Sequence, residues 1–256
     1  RYCLLSRGLG DVYKRQSSPL LNTDTAMSNT QSTEQIVAGI QSWLQCESPS
    51  NFPEGIAAMA RIIADYAAAA GLTVELSSLG PTTGPLLYAT NRAPGDTRPG
   101  ILILAHMDTV HPVGTLLENP VRIDGDRLYG PGSYDMKAGI YLALTALAGV
   151  ARPGATQLPV DFLVVPDEET GSHASRVHIE RFAANAKYAL VCEPARPNGG
   201  KCVTARKGTG MLNLNVKGRP AHAGMQHEKG RSAIREMAHQ VLSLIHISEP
   251  TRQEAI

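Results

Sequence analysis

Two short apolar runs limit most strongly what this chain can fold into. Residues 100–105 are continuously apolar, and Val160–Val165 is interrupted only by Asp161. Runs of this length and character are typical of central strands that are buried on both faces of a sheet. Residues 73–76 and 86–90 are predicted as further strands, and residues 188–191 as a third buried one.

Helical segments separate these predicted strands. One amphipathic helix is indicated by Ile36, Ile40, Trp43 and Leu44, and a second by Ile56, Met59, Ile63, Tyr66 and Ala70. Gly71 is placed to end the second helix, and the alanine-rich residues 137–150 predict another. Because strands alternate with helices, we predict an α/β layered fold with a largely parallel or mixed sheet.

The pattern changes after the third buried strand. Leu212, Leu214 and Val216 alternate with polar residues, which predicts a strand with one wet face in an antiparallel sheet. Residues 231–241 then begin a helix. We therefore place a domain boundary near Lys207, with a first domain at 27–207 and the start of a second at 208–241.

Both ends of the chain are interpreted as translated DNA adapter. Residues 11–16 can be encoded by GAT GTG TAT AAG AGA CAG, whose reverse complement encodes residues 242–247. An adapter ligated to both ends of a fragment produces this relation automatically. We therefore exclude residues 1–16 and 242–256 from fold reasoning, and expect a natural start at Met27 and a natural sequence that continues past Val241.

Composition excludes several classes of function. The formal net charge is +1, so no basic excess indicates nucleic acid, and no apolar run approaches the roughly 20 residues of a membrane helix. The polar stretch after Met27 is unlike a signal peptide, which favours a cytoplasmic location. Outside the adapter, Cys46, Cys192 and Cys202 include no Cys-x-x-Cys pair, so no disulfide framework is expected.

Acidic and histidine residues follow the predicted strands, at the sheet edge where α/β proteins build sites. His106 and Asp108 are two apart and point the same way in an extended chain. The imidazole suits zinc and the carboxylate suits orienting it, although the pair also fits a polar turn. Asp135 follows a glycine-rich loop, where its carboxylate fits either two cations or a helix N-cap.

Two more segments continue this set. Glu168 and Glu169 lie in an acidic turn after a predicted strand, where one can bind metal while the other acts as general base. The alternative is a solvated acidic turn. Glu193 ends another strand, where it either completes a metal shell or only precedes Pro194. Mixed histidine and carboxylate ligands suit catalytic zinc, with cobalt or manganese as alternatives.

These four segments, in this order and spacing, resemble the dinuclear zinc peptidases from about residue 36 to 241. That family includes glutamate carboxypeptidases, aminoacylases, acetylornithine deacetylases and succinyl-diaminopimelate desuccinylases. The resemblance implies a three-layer, mixed-sheet catalytic domain followed by an α+β lid or dimerisation domain, truncated here. It also implies two zinc ions, a homodimer when full length, and small peptide or N-acyl amino acid substrates.

The resemblance also implies a role for each residue. His106 and Glu193 would bind one zinc, Glu169 the other, and Asp135 both. Asp108 would orient His106, and Glu168 would be the general base that carries a proton from water to the leaving amine. His222, in a Gly-Arg-Pro-Ala-His-Ala-Gly segment, matches the lid histidine that stabilises the oxyanion in a partner's active site.

The chain departs from the family pattern at its C-terminal side. A further histidine ligand of the second zinc and most of the lid are absent, so we predict that this chain alone is inactive or barely active. Lys201 and Arg206 are weak candidates for contact with an anionic substrate, and a solvated surface role fits them equally.

Local likeness in the His-Met-Asp-Thr-Val, Tyr-Gly-Pro-Gly and Glu-Glu-Thr-Gly-Ser segments favours a glutamate carboxypeptidase that cleaves an amide bond next to a carboxylate. The alternatives are an N-acyl amino acid deacylase and a non-catalytic binding protein on the same fold. Retention of Asp108 and Glu168 argues against the binding protein, because a binder has no need of a general base.

Overall fold

The computed structural model describes residues 31–196, 199–205 and 213–248. The chain divides into two compact units, Arg1–Thr204 and Ala205–Ile256. Met27, the predicted boundary at Lys207 and the N-terminal adapter segment lie outside the described residues, so those interpretations stay predictions.

The helices of the first unit begin and end where local chemistry favours it. They are α1 (Thr33–Leu44), α2 (Pro53–Ala69), the single turn α3 (Thr115–Glu118), α4 (Ala138–Ala148) and α5 (Arg176–Ala184). Ser32 and Gln35 form a reciprocal capping box that starts α1, and Pro53 occupies the first turn of α2. Gly71 adopts φ +89° two residues after α2 ends, which confirms its predicted place at the helix C-terminus.

A five-stranded mixed sheet forms the centre of this unit, as predicted. Its strands are β1 (Thr73–Ser78), β2 (Pro85–Thr90), β3 (Gly100–His106), β6 (Val160–Val165) and β7 (Ala186–Val191), in the order β1-β2-β6-β3-β7. β3 pairs in parallel with β6 and β7, whereas β2 pairs antiparallel with β1 and β6. A separate hairpin of β4 (Arg122–Asp124) and β5 (Arg127–Tyr129) was not predicted.

Helices cover both faces of the sheet, which gives three layers. One face packs against α1, α2 and α4 in a core that includes Leu44, Met59, Ile63, Ile140 and Phe162. On the other face, α5 places Ile179 and Phe182 against Leu102, Leu163 and Val165. Each fully buried side chain of this size contributes about 1.5–3 kcal/mol relative to exposure. The central strands therefore have apolar neighbours above and below, as their sequence predicts.

The prediction that residues 188–191 form a buried strand is wrong in one respect. β7 exists, but it is an edge strand, and most of its side chains, including Tyr188 and Val191, are exposed. Apolar composition alone does not distinguish an edge strand, which has only β3 beside it, from a central one.

The second unit contains a 3-10 turn (His227–Lys229), an isolated antiparallel bridge between Arg219 and Arg231, and α6 (Ala233–Ser248). The prediction of a strand at 212–216 is wrong for the described residues 213–216, which have no strand structure. A strand needs a partner for its backbone groups, and alternation in sequence does not supply one. The predicted helix at 231–241 begins at Ala233 and continues to Ser248.

Among the described residues, no helix combines the length and the apolar character that crossing a membrane requires.

Candidate metal centre

The parallel strands bring three of the predicted segments to one edge of the sheet. β3 ends at His106, a 3-10 turn (Glu168–Thr170) follows β6, and Glu193 lies two residues beyond β7. Since β3, β6 and β7 are parallel neighbours, their carboxyl ends meet. Asp135 comes from a π turn (Ser133–Lys137) that precedes α4.

His106 is the centre of the cluster. Its side chain is buried, and its Nε2 atom lies 2.9 Å from Asp135 Oδ1, 3.6 Å from Glu193 Oε1 and 3.9 Å from Glu168 Oε2. The imidazole therefore directs one nitrogen toward three carboxylates that are far apart in sequence. His106 and Asp108 are both buried and the imidazole faces carboxylates, so the pair is more than a polar turn.

Two overlapping groups of potential ligand atoms share His106. One contains His106, Asp135 and Glu169, the other His106, Glu168 and Glu193, and within each group the atoms lie within 4.8 Å of one another. Two ligands of a tetrahedral zinc ion, each about 2.0–2.2 Å from it, stand about 3.4 Å apart. The distances from His106 to Asp135 in the first group and to Glu193 in the second, 2.9 and 3.6 Å, bracket this value, so each group has one donor pair that fits a divalent cation. Glu168 is more distant, at 3.9 Å from His106.

Asp108 contacts the acidic turn as well as His106, which lies two residues before it. The Nδ1 atom of His106 lies 2.9 Å from the backbone oxygen of Asp108 and 3.4 Å from its carboxylate. The carboxylate itself accepts hydrogen bonds from the backbone N–H groups of Glu168 and Glu169, both at 3.1 Å. Asp108 thus fixes His106 mainly through its main chain and fixes the acidic turn through its side chain.

Asp135 does not cap the following helix. The N-cap position of α4 is Lys137, no side chain caps the helix there, and Asp135 instead faces His106. Its peptide bond to Met136 is cis. Gly132, with φ +72°, allows the loop to approach the segment after β3 closely, since a Cβ atom there would lie 2.8 Å from the Thr109 methyl group. Tyr134 donates a hydrogen bond from its hydroxyl to the carbonyl of Ala195, 2.9 Å away, which links this loop to the segment after Glu193.

The acidic turn separates structural from solvent-facing carboxylates. Asp167 is buried, and its Oδ2 atom accepts hydrogen bonds from the backbone of Ala174 at 2.7 Å and Ser175 at 3.3 Å. Glu168 is about half exposed, with 47% of its side-chain surface accessible. The turn is therefore not simply a solvated acidic loop, because one of its carboxylates organises the backbone while the next faces the cluster.

The cluster is rich in negative charge. Burial raises the pKa of Glu193, and the neighbouring Asp135, Glu168 and Glu169 raise it further, against the lowering effect of His106. Burial is likewise the main cause that raises the pKa of Glu169.

The pKa values of His106 and Asp108 shift in opposite directions from each other. Burial alone lowers the pKa of His106, but the hydrogen bond to Asp108 and the surrounding carboxylates raise it to about 9. Burial raises the pKa of Asp108, yet His106, Ser50 and the backbone lower it overall. These directions all show an environment that favours positive charge at the centre of the cluster.

Two side chains near the site were not predicted. Lys137 is fully buried, donates from Nζ to the carbonyl of Cys46 at 2.6 Å, and has its pKa lowered by burial to about 8. Ser50 donates from Oγ to Asp108 Oδ2 at 2.7 Å. The sequence signal for Lys137 is only its place two residues after Asp135, and Ser50 is separated from Asp108 by 58 residues.

The remaining candidates lie elsewhere. His222 belongs to the second unit, where it is exposed and its Nδ1 atom accepts a hydrogen bond from the Gly224 backbone at 3.2 Å. Lys201 is exposed in a short antiparallel bridge with Arg196. Arg206 lies outside the described residues.

Comparison with known proteins gives a consistent result. The chain is 30% identical over 219 residues to carboxypeptidase G2 of Pseudomonas sp. (strain RS-16), covering 85% of this chain and 52% of the relative. It is 29% identical to the succinyl-diaminopimelate desuccinylase of Gluconobacter oxydans (strain 621H), over 70% of this chain and 53% of the relative. The chain thus spans about half the length of these curated relatives.

Solved structures support the same fold. Aminopeptidase PepT from Bacillus cereus ATCC 10987 matches with a TM-score of 0.56 and 21% identity, covering 80% of this chain and 55% of that one. The metallo-carboxypeptidase Sso-CP2 from Sulfolobus solfataricus matches with a TM-score of 0.53 and 22% identity, over 64% and 39%. Residues 102–254 match the sequence pattern of peptidase family M20/M25/M40, and the chain belongs to this family.

Proposed function

We propose that the full-length protein is a zinc-dependent hydrolase that cleaves an amide bond next to a carboxylate, as a glutamate carboxypeptidase does. The observation that carries the proposal is the position of His106, whose Nε2 atom lies at ligand-to-ligand distance from both Asp135 and Glu193. A surface cluster of acidic residues has no reason to surround one buried imidazole in this way.

The proposed division of roles differs from the two groups of ligand atoms, because it takes His106 and Asp135 from one group and Glu193 from the other. His106, Asp135 and Glu193 would hold one ion, and Asp135 and Glu169 would hold a second, with cobalt or manganese as possible replacements for zinc. When bound, such ions supply Lewis acidity that polarises the scissile carbonyl and lowers the pKa of water. A further ligand from outside the described residues completes the second site in this proposal.

Glu168 is the proposed general base. It is the most distant of the three carboxylates measured from His106, and about half of its side chain is exposed, so it can face water and substrate. Its carboxylate would take a proton from the attacking water and deliver it to the leaving amine. General bases in reach of the reacting group contribute about 10²–10⁴-fold to the rate.

Asp108 and His222 are proposed to assist. Asp108 holds His106 and the acidic turn, which would fix the general base and the metal ligands relative to one another. His222 would stabilise the oxyanion in the active site of a partner subunit, so the active form would be a homodimer. The polar stretch after Met27 favours a cytoplasmic enzyme.

The substrate class rests on similarity to carboxypeptidase G2. Similarity to a succinyl-diaminopimelate desuccinylase favours a second candidate, the removal of an acyl group from an N-acyl amino acid. Both reactions hydrolyse an amide with the same metal site, and they differ in which side of the bond the enzyme grips.

The test is to recover the full-length gene, without adapter sequence, and to assay the purified protein on peptidyl and N-acyl glutamates and on other acetylated and succinylated amino acids. Each substrate is tested before and after chelation, after metal is restored, and with Glu168→Gln. Chelator-sensitive cleavage that Glu168→Gln abolishes, with glutamate preferred, would support the proposal.

Other outcomes assign the protein differently. Metal-dependent cleavage of acetylated or succinylated amino acids alone would move the assignment to the deacylases. Zinc binding without any cleavage would favour a binding protein and remove the role given to Glu168. Full activity of the 256-residue chain itself would contradict our prediction that this chain is inactive or barely active.

A further inference from the structure

The Asp108 carboxylate is fully buried and accepts hydrogen bonds from three donors, with His106 Nδ1 also 3.4 Å from its Oδ1 atom. Its Oδ1 atom accepts from the Glu168 backbone at 3.1 Å, and its Oδ2 atom accepts from the Glu169 backbone at 3.1 Å and from Ser50 Oγ at 2.7 Å. The shortest of these contacts comes from Ser50, whose side chain is therefore part of the arrangement that holds the acidic turn.

The three donors require a carboxylate between them. Each carboxylate oxygen of Asp108 accepts at least one hydrogen bond, so the side chain acts entirely as an acceptor. Two of the donors are backbone N–H groups that no side-chain substitution removes. The Ser50 hydroxyl is the one donor in this set that depends on residue type, and it bonds to a charged, buried group, where hydrogen bonds are strongest.

The position of Ser50 is fixed by its own loop. The loop of residues 47–50, which we call the bracing loop, runs parallel to the segment after β3, with a bridge between Pro49 and Thr109. The backbone N–H of Thr109 donates to the Ser48 carbonyl at 3.0 Å, and the backbone N–H of Ser50 donates to the Thr109 carbonyl at 3.3 Å. Ser48 also donates from Oγ to the Met107 carbonyl at 2.7 Å.

This loop is anchored again at its first residue. Glu47 accepts hydrogen bonds from the backbones of Gly114 and Leu116, both at 2.8 Å. The bracing loop therefore holds the segment after β3 on both sides of Asp108, and the Ser50 hydroxyl is presented to the carboxylate by main-chain contacts that do not depend on that hydroxyl.

We propose that Ser50 is a positioning residue, whose hydroxyl holds the Asp108 carboxylate so that this carboxylate fixes the backbone of Glu168 and Glu169. The effect on catalysis rests on the proposed function, because it passes through the general base. The effect on the backbone of the acidic turn does not, and it can be measured in the absence of any activity.

The experiment uses the full-length protein with Ser50→Ala, which removes the hydroxyl, and Ser50→Thr, which keeps it. Ser42→Ala is the matched control, since Ser42 makes a bond of the same 2.7 Å length from Oγ to the Gly39 carbonyl on the exposed side of α1. Hydrogen–deuterium exchange of the peptide covering residues 166–172 is measured in chelated and zinc-loaded protein, because amide exchange reports local opening. Kinetic constants are measured in parallel.

We expect Ser50→Ala to speed exchange in residues 166–172 about tenfold and to lower kcat by about 10-fold with KM nearly unchanged, in line with residues that orient metal-site groups. Ser50→Thr should restore both, and Ser42→Ala should change neither. If Ser50→Ala does not fold, Ser50→Cys replaces it, since a thiol of similar size is a weak donor.

Unchanged exchange in residues 166–172 for the variant that lacks the hydroxyl would overturn the proposal, whatever the activity. Faster exchange in a protein that hydrolyses none of the substrates would support the positioning role of Ser50 while the proposed function fails. Equal loss of kcat in Ser50→Ala and Ser50→Thr, with unchanged exchange in both, would also overturn it.

Discussion

The two ends of the parallel strands differ in how their carboxylates are neutralised. At the amino ends of β3 and β6, Asp161 is bound by Arg92 through two hydrogen bonds, at 2.8 Å from Nε and 2.5 Å from a terminal nitrogen. Arg98 binds Asp96 through two more, and that contact lowers the pKa of Asp96 to about 2. At the carboxyl ends, one histidine faces several carboxylates, and the pKa values of Glu169 and Glu193 are raised.

Charges at the amino ends stabilise the fold, whereas charges at the carboxyl ends are arranged to bind a cation. At the amino end each carboxylate has an arginine in bidentate geometry, so the charge is neutralised within the chain. At the carboxyl end the carboxylates repel one another and attract cations, which costs stability in the protein alone. Perturbed pKa values in both places are therefore not equivalent evidence, and only the second arrangement points to function.

Asp161→Asn is expected to have the largest effect on stability. The substitution leaves Arg92 largely buried without its carboxylate, and we expect the free energy of unfolding to fall by about 3 kcal/mol. Urea unfolding followed by circular dichroism measures the loss. Catalytic constants per folded molecule should stay the same, and a large fall in kcat without loss of stability would contradict the structural role of this end.

Zinc binding should stabilise the protein through the carboxylates at the carboxyl ends of the strands. At a free zinc concentration 100 times the dissociation constant, binding stabilises the folded state by about 2.7 kcal/mol. We expect this increment in the starting protein and in Asp161→Asn, but only a small part of it in Glu193→Gln at the same zinc concentration. Urea unfolding with zinc and with chelator measures it, and an undiminished increment in Glu193→Gln would remove Glu193 from the metal site.

Glu168→Gln should change stability little. The side chain is about half exposed and lies among like charges, so we expect the free energy of unfolding to remain within about 0.5 kcal/mol of the starting protein. The same variant is expected to lose hydrolysis. A loss of stability as large as that of Asp161→Asn would show that Glu168 holds the fold together.

Arg98→Ala should have the smallest effect. Its guanidinium pairs with Asp96, but 63% of the Arg98 side chain is exposed, and exposed pairs add little in water. We expect the urea midpoint to stay within the error of the measurement, with no change in kinetics. A clear shift would show that the outer pair contributes together with Arg92 and Asp161 as one network.

Much of the fold was predictable because its strands have strong local signals. The apolar residues of β6 gave its bounds without error, and Gly71 marked the end of α2. α5 was missed because only Ile179 and Phe182 pack on the sheet, too few contacts to produce a clear helical period. The strand predicted near Leu214 was wrong for the opposite reason, because the sequence alternates but the described residues 213–216 pair with no strand.

The candidate site divides in the same way. The proximity of His106, Asp135 and Glu193 was predictable because each ends or follows a strand or a glycine-rich turn. The contact of Ser50 was not predictable, because it is made with a residue far away in sequence and a serine beside a proline is typical of an ordinary loop. Lys137 was missed because lysine is seldom fully buried, so nothing in its sequence context indicates the contact with Cys46.

The aromatic packing of α1 gives this chain an internal optical reporter. Trp43 is its single tryptophan, it is 4% exposed, and its ring meets those of Tyr66 and Tyr141 edge-on at 5.5 and 5.0 Å between centroids. An indole in such a dry environment emits at shorter wavelength than one in water. Because Trp43 lies in α1, which leads directly into the bracing loop, its fluorescence would report the unfolding of the first unit.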